Sequence, residues 1–144
     1  MLRMVAFTSI LAAASGSLAA PQKSPGAHVD EWQSHAQTCM DRSDGTNGAW
    51  NRCARDEVDR QELALGEVWK RVYGLTEGKT KTDLLSEQRT WLSYESKSCQ
   101  MYMNGEWGRE GEVLRWGLCR ADVIATRIKQ LQDIERDLSP YIPK

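Results

Sequence analysis

Four cysteines are the residues in this sequence with the most readily recognised chemistry, because thiols either bind a metal or pair in disulfides. They are Cys39, Cys53, Cys99 and Cys119. A zinc site usually takes four cysteine or histidine ligands at close spacings, but the chain has no C-x-x-C motif, and the histidine nearest to a cysteine is His35. Two disulfides are therefore predicted. Of the three possible pairings, Cys39–Cys53 with Cys99–Cys119 is favoured because each bond closes a short segment.

Acid–base or nucleophilic catalysis has few candidate residues. Glu57 and Glu62 are two carboxylates on one predicted helix, and such groups can transfer protons. The two histidines, His28 and His35, lie in or just beyond a segment with weak structural signals, which is a poor place for preorganised chemistry. The sequence has no glycine-rich phosphate loop and no nucleophile beside a base. We therefore predict no catalytic residue, no metal and no cofactor.

The N-terminus has the features of a cleaved secretory signal. Arg3 precedes an apolar stretch at 4–14, and the small side chains of Ser17 and Ala19 suit a signal peptidase. The apolar stretch offers about half of the roughly 20 residues that a membrane-spanning helix needs. No cysteine follows it for lipid attachment. We expect residues 1–19 to be the signal peptide, and the mature protein to be periplasmic or secreted without membrane insertion.

The mature chain has the size of one domain. Removing the signal leaves about 125 residues, and since it takes away Arg3 and no acidic residue, the net charge changes from −1 to −2. This balance, without any block of Lys and Arg, does not favour nucleic acid as a partner. Residues 20–33 are rich in Pro, Gly, Ser and Lys, and they predict a flexible leader before a helical domain at 34–140.

Hydrophobic periodicity predicts an all-α fold, a small disulfide-braced bundle of three main helices. Apolar residues recur at intervals of three and four in the segments 49–73, 82–101 and 114–138, and alternating β-branched runs are lacking. A short segment at Trp32–Met40 is a candidate for an additional N-terminal helix.

The predicted helix ends follow from capping residues. Gly74 suits a left-handed cap after the first helix, and Thr82 suits the N-cap of the second. Pro140 is expected to stop the third helix. Between the second and third helices, Tyr102–Gly111 contains three glycines and predicts a loop.

One element of the second predicted helix reads Leu84-Leu85-x-x-Gln88-Arg89-x-Trp91-x-x-Tyr94 with Cys99 downstream. This element, within the frame of four cysteines, resembles the bacterial lysozyme inhibitor LprI family, formerly a domain of unknown function. The likeness spans Cys39 to Leu131. It implies an exported protein that is not an enzyme and whose partner is a lysozyme or another exported protein. Where the family commonly has an arginine after the tyrosine, this chain has Glu95.

Five polar residues are expected on or beside the apolar helix faces, where an unpaired charge is costly. They are Glu57, Glu62, Gln88, Arg89 and Arg127. We predict that they form a structural network between helices, in which Arg127 or Arg89 bonds to Glu57 or Glu62. The alternative is that they face a ligand.

The predicted loop is the best candidate for contact with a partner. It combines aromatic and polar side chains of kinds found at interface hot spots, namely Tyr102, Asn104, Glu106, Trp107 and Arg109. A bond between Cys99 and Cys119 would close the loop and lower the entropy lost on binding. The resemblance implies the saccharide cleft of a lysozyme as the target, where Arg109 would approach two carboxyl groups and Trp107 a sugar-binding surface. Alternatively, Trp107 packs back on the core.

Two functions are compatible with these features. One is inhibition of a muralytic enzyme through the loop. The other is a non-catalytic cell-envelope domain that binds an unknown partner, since both functions need only a stable helical scaffold and a presented surface.

Overall fold

The computed structural model describes residues 27–139, which are mostly helical and contain no strand. Its four helices are α1 (Ala27–Asp41), α2 (Asn47–Leu75), α3 (Gly78–Ser98) and α4 (Trp116–Leu138). The predicted all-α bundle of three main helices with an additional N-terminal helix is confirmed. The predicted signal peptide lies outside the described residues. Between residues 27 and 139, no helix combines the length and apolar character needed to cross a membrane.

The N-terminal helix α1 is longer than the sequence suggested. It begins at Ala27, so the expectation of little fixed structure across residues 20–33 is wrong from Ala27 onward. Trp32 and Ala36 are buried one turn apart, and burial of this apolar stripe stabilises a segment whose composition alone favours a loop. A disulfide from Cys39 to Cys53 then ties α1 to α2.

Helix α2 begins at a cap that its sequence provides. The Thr46 hydroxyl accepts a hydrogen bond from the backbone N–H of Ala49 at 3.2 Å. At the C-terminal end of α2, the predicted left-handed cap at Gly74 is wrong, because the helix continues through Gly74 to Leu75. Thr76 follows, and its hydroxyl donates to the carbonyl of Tyr73 at 3.1 Å. This bond satisfies one of the terminal carbonyls, so no left-handed glycine is needed there.

Helix α3 begins four residues before the predicted N-cap. Thr82 lies inside the helix, where its hydroxyl donates to the carbonyl of Gly78 at 3.3 Å. The helix buries few side chains, chiefly Leu84, Gln88 and Glu95. Most of its surface therefore faces solvent.

The core lies mainly between α2 and α4, the two helices with the most extensive mutual packing. The apolar face predicted for the last helix is confirmed by the burial of Ala121, Ile124, Ala125, Ile128 and Leu131. The α2 side of the core consists of Val58, Leu65, Val68 and Val72. The two helices approach closely at Gly117, where an added Cβ would lie 2.8 Å from the Cβ of Ala54. The helix ends at Leu138, and Pro140, its predicted stop, lies outside the described residues.

Candidate interaction surface

The chain between α3 and α4 is held at both ends by the disulfide Cys99–Cys119, whose Cα atoms are 5.9 Å apart. We call residues 100–115 the Trp107 loop. The sequence predicts an irregular loop at Tyr102–Gly111, but most of this segment is made of short helical turns. A 3-10 turn at Gln100–Met103 and a helical turn at Gly108–Glu110 lead into a π-helical turn at Gly111–Arg115. These turns give the loop a defined shape.

The chain reverses within the loop at two glycines. Gly105 and Gly108 have φ angles of 86° and 63°, in the left-handed region that side chains disfavour. Across Gly105, the Asn104 side chain accepts a hydrogen bond from the backbone N–H of Glu106 at 2.9 Å. Asn104, predicted to contact a partner, thus stabilises the turn itself. Glu106 is exposed.

Trp107 is half exposed, with 51 % of its surface accessible, so it does not withdraw into the core. Its ring meets the ring of Tyr102 edge to face, with centroids 5.1 Å apart and planes at 63°. Tyr102 is only partly exposed. The contact limits the rotation of a large apolar side chain that still faces solvent.

Two methionines extend this apolar surface, although neither was predicted from the sequence as a contact residue. Met101 and Met103 are each 50 % exposed in the 3-10 turn that also holds Tyr102. Their signal in the sequence is weak, because Met101 fits the end of the predicted second helix. We call the group Met101, Tyr102, Met103 and Trp107 the Trp107 surface. Flexible, polarizable methionines suit binding surfaces that adapt to a partner.

Four charged residues of the loop form two ion pairs. The Arg109 guanidinium lies 3.5 Å from the Glu112 carboxylate, and Arg115 donates to Glu110 at 3.3 Å. All four are at least partly exposed, so each pair contributes little to stability. Arg109, predicted to contact a partner, is 73 % exposed and can exchange Glu112 for another carboxylate at low cost.

The buried carboxylate of Glu57 has partners other than those predicted. It accepts hydrogen bonds from Arg60 at 2.7 and 3.1 Å and from Gln61 at 2.7 Å, and it lies 2.6 Å from Nδ1 of His35. The hydrogen bonds that Arg60 donates to Glu57 raise the pKa of Arg60 above its usual value. The prediction that Arg127 or Arg89 bonds to Glu57 is wrong, because the carboxylate faces α1 and the next turn of its own helix.

Glu62 belongs to a second cluster, centred on Arg120, which was not predicted from the sequence. Arg120 donates to Glu95 at 2.7 Å and to Glu62 at 3.1 Å, and it therefore connects α2, α3 and α4. Its guanidinium also lies over the ring of Trp116, 5.2 Å from the centroid. The i, i+4 spacing of Trp116 and Arg120 is the one local signal that points to this cluster. Glu95 is buried and accepts the shorter of the two hydrogen bonds that Arg120 donates.

Arg127 forms a third cluster. Its side chain is 3 % exposed and donates to the Gln88 carbonyl at 2.9 and 3.0 Å and to Glu87 at 2.7 Å. It lies 5.8 Å from the centre of the Trp91 ring. Arg89 is exposed, and the described structure shows no bond from it to Glu57 or Glu62. Four of the five polar residues are thus divided among three separate clusters, and Arg89 belongs to none of these clusters.

The part of the chain that the structure describes contains no group of three or more His, Cys, Asp or Glu side chains arranged to hold a metal ion. The fold and the exposed loop define the class of small, disulfide-braced, all-helical domains. The model of the family described as lysozyme inhibitor LprI matches residues 39–131, more than half of the chain. The chain belongs to the lysozyme inhibitor LprI family. Comparisons with curated proteins and with solved structures gave no match.

Proposed function

We propose that this chain is an exported inhibitor that binds a lysozyme through the Trp107 surface. Membership of a lysozyme inhibitor family supports the class of partner. Two disulfides in one small domain support an oxidising compartment, the periplasm or the exterior of the cell. The observation that carries the choice of surface is the half-exposed Trp107 on a disulfide-closed loop.

The physical case for this surface is its preorganisation. A loop tied at Cys99–Cys119, and ordered by short helical turns, loses less conformational entropy on binding than a free segment does. Aromatic and arginine side chains dominate interface hot spots, and Trp107 with Arg109 supplies both. A glycosidase cleft carries two carboxyl groups beside its sugar-binding surface. We propose that Arg109 approaches those carboxyl groups while Trp107 covers a sugar-binding position.

Inhibition of muralytic activity by the purified, oxidised mature protein tests the proposal against several lysozyme types. Trp107→Ala is expected to weaken inhibition about tenfold or more, because truncating a hot-spot residue costs about 2 kcal/mol. Arg109→Ala should reduce the affinity further. Leu63→Ala is the matched control, since Leu63 on α2 is 75 % exposed and lies outside the loop.

Competition with a soluble saccharide ligand of the lysozyme locates the contact on the enzyme. Displacement by the saccharide supports binding in the cleft. Unchanged affinity of the Trp107→Ala/Arg109→Ala variant would exclude the loop as the contact. Inhibition of no lysozyme type by the folded protein would favour the cell-envelope binding domain.

A further inference from the structure

Gly111 is a buried glycine whose backbone does not require glycine. Its φ and ψ are −55° and −51°, ordinary right-handed helical values that any residue adopts. This distinguishes it from Gly105 and Gly108, where positive φ explains the residue type. The reason for a glycine at position 111 must therefore be space rather than conformation.

The space at Gly111 is occupied by Trp107. A Cβ added at Gly111 would lie 2.3 Å from the Cβ of Trp107 and 3.1 Å from the backbone carbonyl oxygen of Tyr102. Residues four apart on a regular helix have Cβ atoms about 5–6 Å apart, so the turn from 107 to 111 is much tighter than a helical turn. The Cβ of Trp107 is fixed to the backbone and cannot rotate away. An added methyl group must then displace the turn itself.

The backbone around Gly111 explains how this close approach arises. The left-handed Gly108 bends the chain directly after Trp107. Hydrogen bonds from the Gly111 N–H to the carbonyl of Trp107, at 3.4 Å, and from the Trp116 N–H to the carbonyl of Gly111 connect this bend to the π-helical turn. Wide turns of this kind occur often at functional sites. The bend at Gly108 thus brings the Trp107 side chain over residue 111.

We infer that Gly111 is a positioning residue that holds Trp107 in its half-exposed, binding orientation. The inference rests on the proposed function of the Trp107 surface and deepens it. Without a side chain at 111, Trp107 sits against the turn with its ring on the edge of Tyr102, ready to contact a partner without rearrangement. With a side chain at 111, the turn shifts and the orientation of Trp107 changes.

The test compares Gly111→Ala with Gly74→Ala, a helical glycine with no neighbouring atom within 4 Å of an added Cβ. Both proteins carry 5-fluorotryptophan, and the Trp107→Phe variant assigns the Trp107 resonance among the six tryptophans. Gly111→Ala is expected to shift the Trp107 resonance and to weaken lysozyme inhibition about tenfold or more. Gly74→Ala should change neither. An unshifted Trp107 resonance in folded Gly111→Ala would overturn the inference.

A double-mutant cycle keeps the inference testable even if Gly111→Ala folds poorly. Gly111→Ala is expected to lower Tm by about 4 °C or more in the natural background, because the added methyl overpacks the turn. The same substitution should cost little with Trp107→Gly, which removes the opposing Cβ, and should still be costly with Trp107→Ala, which keeps it. Equal costs in all three backgrounds would overturn the inference.

The two proposals fail in different ways. If Trp107→Ala leaves inhibition unchanged, the proposed contact is wrong. The fluorine spectrum and the Tm cycle then still decide whether Gly111 positions Trp107. If Trp107→Ala weakens inhibition while Gly111→Ala shifts the resonance without effect on inhibition, the positioning role is wrong and the contact stands.

Discussion

Removing the two disulfides one at a time should separate the stability of the bundle from the shape of the Trp107 loop. Cys99 and Cys119 are 20 positions apart in sequence, and Cys39 and Cys53 are 14 apart. On the loop-entropy model, the first bond stabilises the folded state by about 3.3 kcal/mol and the second by about 3.0 kcal/mol. The two losses of stability are therefore expected to be nearly equal. Only the first bond closes the loop, so only its removal should affect inhibition.

The two variants are Cys99→Ala/Cys119→Ala and Cys39→Ala/Cys53→Ala. Alanine is preferable to serine because Cys53 and Cys99 are buried, and a buried hydroxyl without a partner would add a desolvation cost. Each variant should lower Tm by roughly 10–15 °C, measured by circular dichroism. Inhibition of a lysozyme should be weakened in the first variant and retained in the second.

The second variant serves as a control for stability alone, because it loses about as much stability but leaves residues 100–115 unchanged. Inhibition must be measured at a temperature where both variants are fully helical. An equal loss of inhibition in both would contradict this explanation, since loop closure would then have no separate effect. Full inhibition by the first variant would contradict preorganisation of the loop by its disulfide.

Two further predictions concern the packing of α2 against α4. Arg71→Gln should lower the free energy of unfolding near pH 7 but not in acid, because hydrogen bonds from Arg71 hold the pKa of Glu135 below its usual value of 4.5. The folded protein then binds fewer protons than the unfolded chain, so the contribution is complete above pH 4.5 and is lost as the pH falls through the lowered pKa. Urea unfolding curves of the two proteins should converge in acid, and a constant difference would contradict the linkage. Gly117→Ala should destabilise by about 1–3 kcal/mol, since its Cβ would lie 2.8 Å from that of Ala54, whereas Gly66→Ala, with no atom within 4 Å, should be neutral or stabilising. Equal unfolding midpoints for the two glycine variants would show that the helices can separate without cost.

Much of the fold could be predicted because helix formation is encoded locally. The three- and four-residue spacing of apolar side chains identified all the long helices, and the face from Ala121 to Leu131 is buried as predicted. Helix ends were predicted less well. At Gly74 and Thr82 the residue types allow a cap, but Thr76 bonds to the Tyr73 carbonyl at the end of α2, and α3 begins earlier, at Gly78. Such alternatives differ by about 1 kcal/mol, so tertiary contacts can choose between them.

The position of the loop along the chain was predicted from the sequence, but its backbone conformation was not. Its glycines indicated a turn, and all three read alike in the sequence. In the structure Gly105 and Gly108 reverse the chain, whereas Gly111 makes room for Trp107. The exposure of Met101 and Met103 likewise follows from the 3-10 turn, which breaks the periodicity of the preceding helix.

The amino-acid sequence alone thus sufficed for the helical class, the family, the favoured pairing of the cysteines and the position of the exposed loop. These depend on short-range spacing, which a helix or a closed segment converts directly into structure. The partners of the charged residues were decided only by the tertiary structure. Whether Arg127 bonds to Gln88 on α3 or to Glu57 on α2 depends on how the three helices are rotated about their axes. A rotation by one residue position, about 100°, changes every neighbour of a side chain. The packing of the whole core sets that rotation, so it cannot be predicted from the residue spacing within one helix.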